Sequence, residues 1–101
     1  MREIKEVARQ IRKELKAAEW YANEAAHDRE MYPVLARHYS HLAQDNLSRV
    51  DKLHACVAEM IDEVKRSGRQ IPQGMLDVWE FEHEMLVEQA AEVHSLIEAS
   101  H

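Results

Sequence analysis

Apolar residues recur along this chain at three- and four-residue steps, in three stretches separated by short polar breaks. In the middle stretch, Met31 to Gly68, Leu35, Tyr39, Leu42, Leu53, Cys56, Met60 and Val64 keep the period of a helix laying one seam against its neighbours. Carried through its gap, the same count lands on Asn46 and Arg49. The first stretch, from about Arg2 to Glu30, sets Ile4, Val7, Ile11, Ala18, Tyr21 and Ala25 on its seam, widened by Leu15 and Ala22 and broken by Glu14. The third, from about Gln73 to Ala99, carries Leu76, Trp79, Leu86, Ala90, Val93 and Ile97, broken by His83, with Glu80 beside Trp79. Strand-like alternation is absent.

Punctuation supports three helices. Pro33 suits the first turn of a new helix and discourages helix in the residue before it. The second helix, from there to about Ser67, spans roughly 50 Å and needs partners along its length. Lys65 and Arg66 complement the negative end of its dipole, and Gly68 suits the left-handed position beyond it. Pro72 then opens the third helix. Short connections imply antiparallel neighbours. Ala17, Ala18, Ala22, Ala25 and Ala26 predict close approach of another helix. The expected fold is all-α: an antiparallel bundle of three long helices in a single domain, residues 1–101, with a fourth side that a second copy would complete.

Composition narrows the function. Of 101 residues only 2 are Gly and 2 Pro, against 46% hydrophobic and 32% charged, which favours long helices over loops or disorder. Acids outnumber bases 19 to 13 for a net charge of -6, which argues against nucleic acid as a partner. The densest basic group, Arg2 to Lys16, is interleaved with Glu3, Glu6 and Glu14 and reads as a solvated face. Cys56 is the one cysteine, so no internal disulfide forms, and its place on the stripe predicts a small core residue. The N-terminus is charged from Arg2 onward, without the apolar stretch of a signal peptide. No apolar run reaches the length of a membrane span. A cytoplasmic location is the expectation.

The polar interruptions carry the candidate chemistry. A guanidinium on a buried seam is costly unless carboxylates meet it, so Arg49 is expected to point inward among acids. Glu14 lies about as far before the first turn as Asn46 and Arg49 lie after it, which brings these breaks level. Arg49 and His83 match less well across the second turn, with an offset of roughly 12 Å. If that offset stands, Glu88 or Glu92 is the better level match.

Glu14-Leu-Lys-Ala-Ala-Glu-Trp-Tyr21-Ala, followed by Pro33-Val-Leu-Ala-Arg-His-Tyr-Ser-His-Leu-Ala-Gln-Asp-Asn46-Leu-Ser-Arg49-Val-Asp-Lys-Leu-His54, resembles the rubrerythrin-like branch of the ferritin-like superfamily, in its short bacterial and phage-type members. The resemblance implies a Glu two turns before a Tyr on the first helix, matched by Glu14 and Tyr21. It implies a Glu-x-x-His on the second helix, at the positions of Asn46 and Arg49, and another on a later helix, matched by Glu80-Phe-Glu-His83. Its implied activity is that of a di-iron carboxylate oxidase. The departure decides the chemistry: Asn46 is an uncharged, poor ligand, and Arg49 stays protonated and repels a cation.

Three readings follow. In the favoured one no cofactor remains: Arg49 replaces the metal as the positive centre, with Glu14, Asn46, Glu80 and His83 as its network, in a structural or interaction module. In the second, iron or zinc sits in a non-standard site of Glu14, Glu80 and His83, or zinc binds His38, His41 and Asp45 on one helix face, near His27 and Glu24. In the third, compatible with the first, Trp20, Trp79, Phe81 and Met85 cover a dimer interface or a groove for a partner helix. Ser-His-Asp order, phosphate-cradling glycines and a nucleophile elbow are all missing.

Overall fold

The computed structural model describes residues 2–99. Among these there are three helices, α1 (Arg2–Asp28), α2 (Pro33–Arg66) and α3 (Gln73–Ala99), and no strand. The molecule is a rod of 57 × 19 × 18 Å. Its Cα radius of gyration, 16.3 Å, exceeds the ~13 Å of a compact domain of this size. No helix among the described residues is long and apolar enough to cross a membrane.

The turns form as their residues dictate. Pro33 begins α2, and Tyr32 before it is non-helical, with φ -134° and ψ 67°. At the other end Gly68 takes φ +79° and donates its N–H to the Lys65 carbonyl, after Ser67 has closed on Glu63. Lys65 and Arg66 occupy that last turn. Pro72 stands one residue before α3, and its carbonyl accepts the Met75 and Leu76 N–H groups.

Helix α1 is the hub. It buries Ile4, Ala8, Ile11, Leu15, Ala18, Ala22 and Ala25 along one seam and meets both other helices, which hardly touch each other. Against this seam α2 buries Ala36, Ser40, Ala43, Leu47, Val50, Val57 and Val64. That is in part a correction: Asn46 and Val64 are buried as expected, but Ala36, Ser40, Ala43, Leu47, Val50 and Val57 each lie one residue on from an expected position, and Leu35, Leu42 and Cys56 are exposed. Small residues on both helices explain it, because Ala18, Ala22 and Ala25 opposite Ala36, Ser40 and Ala43 let the backbones close up. Helix α3 adds Leu86, Val93 and Ile97 to this core, with Trp79 and Ala90 packed against it.

Pairings fix the relative order of residues. Glu14 meets Asn46 and Arg49, while Trp20 and Tyr21, later on α1, meet Tyr39, earlier on α2. Between α1 and α3, Glu19 accepts from Gln89, and Arg29 donates to the Ala99 carbonyl at the same separation of 70 residues. The Arg12–Glu82 ion pair keeps that offset.

Candidate functional site

Glu14 stands at the edge of the α1 seam beside buried Ile11, Leu15 and Ala18. Its Oε2 accepts two hydrogen bonds from α2: Asn46 Nδ2 at 2.6 Å and Arg49 Nε at 3.0 Å. Asn46 is 5% exposed, so its amide lies within the helix contact. The Glu14 side chain is 26% exposed and that of Arg49 52%. Arg49 therefore reaches inward only as far as Nε, and water screens the rest of the guanidinium. The expectation of a buried cation ringed by acids is corrected: Arg49 has one carboxylate partner, Glu14, and half of it stays in solvent. Its exposure follows from the shifted stripe, which makes Leu47 and Val50 the inward residues and leaves Arg49 on the flank.

The α3 members of the expected network are elsewhere. Glu80 is exposed. His83 turns towards α2 higher up, its ring 4.9 Å from that of His54 and 5.5 Å from Trp79. These three rings lie together between α2 and α3. His54 Nε2 is buried without a hydrogen-bond partner. Burial, and next the neighbouring His83, push the His54 pKa below its ordinary value, while Asp51 pulls the other way.

The donor set does not fit a dinuclear iron centre. The carboxylate that the resemblance assigns to metal, Glu14, is occupied by an amide and a fixed cation, and neither Asn46 nor Arg49 can replace a Glu-x-x-His pair. Glu14, Glu80 and His83 do not converge, nor do the exposed His38, His41 and Asp45. Among the described residues the group whose ligand atoms lie within 4.8 Å of one another is Glu24, His27 and Asp28. Glu24 and His27 figured in the zinc reading; Asp28 did not, although its place one turn after Glu24 could have signalled it. His27 Nδ1 lies 3.1 Å from Asp28 Oδ1. All three come from one turn of one helix, which leaves an ion open to water on most sides.

Sequence reasoning also gave too little weight to the outer face of α3, where Val78, Phe81 and Met85 are exposed. Trp20 is exposed too, but it packs edge-on against Tyr21 and Tyr39 at 5.3 and 5.7 Å. Trp79 belongs to the core edge rather than to a surface. Comparison with known protein families, with curated proteins and with solved structures finds no match to this chain.

Proposed function

We propose that this chain is a ferritin-like bundle of antiparallel helices that works as a structural and protein-interaction module, cytoplasmic and self-associating. In it an ion pair stands where the family pattern holds metal. The observation that carries the reading is the Glu14 carboxylate, bonded by Asn46 and Arg49 at the two positions where the family pattern calls for Glu and His. A permanently protonated guanidinium 3.0 Å from the Glu14 carboxylate opposes a divalent cation there by direct repulsion. The opposite chain order of the α1–α2 contacts and the shared order of the α1–α3 contacts support an up-down-up course.

Elemental analysis of native protein purified without chelator tests the reading. The expected iron content is far below one atom per chain, and the Arg49→Ala variant gains none. Two firmly held irons per chain overturn it.

A further inference from the structure

We propose that a second copy of this chain docks on the face shared by α1 and α3, with the two-fold axis running along the helices. This rests on the interaction-module reading and specifies its partner and geometry.

Helix α3 carries two apolar stripes where a bundle helix needs one. Leu86, Val93 and Ile97 face the core. Val78, Phe81 and Met85, at three- and four-residue spacing, face away from it and are 50%, 65% and 56% exposed. They line a groove of about 620 Å³ whose floor is Leu86 and whose α1 wall is Arg12. Three large side chains in one exposed row mark an interaction surface rather than scattered surface residues.

The rims of this groove choose the occupant. Along the α1 side run Arg9, Arg12, Lys13 and Lys16, all exposed. On the side of α3 away from α1 lie Asp77, Glu84 and Glu88, and Glu92 continues the line of Phe81 and Met85, all of them exposed. Among the described residues no ion pair engages Lys13, Lys16, Glu84, Glu88 or Glu92. A surface with a basic edge, an apolar middle and an acidic edge complements itself. A two-fold axis along the helices swaps left for right and keeps height, so each basic edge meets the partner's acidic edge. An axis across the helices would set base on base and acid on acid. Height agrees as well. The constant offset between α1 and α3 sets Lys13 within one residue of the level of Glu84, and Lys16 and Arg9 within two of Glu88 and Asp77. That is a mismatch of at most ~3 Å along the axis. Phe81 and Met85 would then lie on the axis and pack against their own copies, as the dry centre inside a charged rim.

Sedimentation velocity of the full chain over a concentration series tests this. The expected wild-type species is a dimer. Phe81→Glu, at an exposed position, should weaken association at least about a hundredfold while leaving helical content unchanged. Lys13→Glu with Lys16→Glu sets acid against acid at the levels of Glu84 and Glu88, and Glu84→Lys with Glu88→Lys sets base against base there. Each double variant should self-associate about tenfold or more weakly at low salt, and an equimolar mixture should give a heterodimer. A mixture that stays monomeric overturns the axis. A dimer untouched by Phe81→Glu overturns the face but leaves the interaction module standing. A wild-type monomer at every concentration overturns the proposal, while iron content still decides the Glu14–Arg49 reading separately.

Discussion

Replacing Glu14 by Met should cost more than removing Arg49, although the ion pair is the more conspicuous contact. The two bonds to Glu14 Oε2 differ in what they leave behind. Without Arg49, Glu14 keeps the Asn46 amide and its own access to water. A pair this exposed couples by about 0.2–1 kcal/mol, and half-solvated Arg49 belongs at the low end. Without Glu14, the buried Asn46 amide has no acceptor, and Asn46 Oδ1 is already buried with no partner. Stranding such a group costs about 1–3 kcal/mol. One kcal/mol moves the midpoint of a domain this size by roughly 4–8 °C. Thermal and urea unfolding should therefore rank Glu14→Met well below Arg49→Ala. The double variant Glu14→Met with Asn46→Leu should recover much of the loss, because apolar groups of similar reach replace both partners. The reasoning is wrong if Arg49→Ala is the more damaging single change. It is equally wrong if the double variant loses the sum of its singles, since that would mean the amide and carboxylate were never coupled.

Two further outcomes are expected. His54 is held below its ordinary value of 6.5, so below that pH the unfolded chain takes up a proton that the folded chain resists. Stability is then full above about 6.5 and declines as pH falls from there towards the lowered value; His54→Gln should flatten that slope, and an unchanged slope would place the cause elsewhere. The two glycines should respond to alanine with opposite signs, read by urea midpoints. Gly68→Ala forces a side chain into φ +79° at a cost of about 1 kcal/mol, while Gly74→Ala, inside α3 with open space around it, gains about 0.5–1 kcal/mol.

The three helices were legible because their ends are written in residues with a single physical use. Pro33 cannot continue a helix from upstream, Gly68 alone tolerates the left-handed exit, and Pro72 precedes a fresh start. The face of α2 was misread for an equally physical reason. A hydropathy count follows Leu35 and Leu42, yet closely approaching helices reward small size, so Ala36, Ser40 and Ala43 are the buried residues. Glu14, Asn46 and Arg49 could still be placed together, since pairing across a short turn depends on distance from Pro33 and not on which flank is inward. Glu80 and His83, expected in the same network, do not join it, because the rings of His54, Trp79 and His83 pack edge-on and tilted in a gap between α2 and α3. Nothing in the spacing of one helix reports such a gap.

The same small residues give the polar break a purpose other than stability. A seam of Ala18, Ala22 and Ala25 against Ala36, Ser40 and Ala43 packs tightly but discriminates poorly between registers, for alanine fits alanine equally well two turns along. Glu14 and Asn46 remove that degeneracy. A slip of two turns would set Asn46 against Val7 or Tyr21, and Glu14 against Tyr39 or Leu53, in each case losing the carboxylate–amide bond. The buried amide would then lack its carboxylate in every register but one. A single buried Asn fixes alignment in paired helices by this logic, at some expense of stability. Arg49 adds little energy to that choice but gives Oε2 a second donor in the register that the fold adopts.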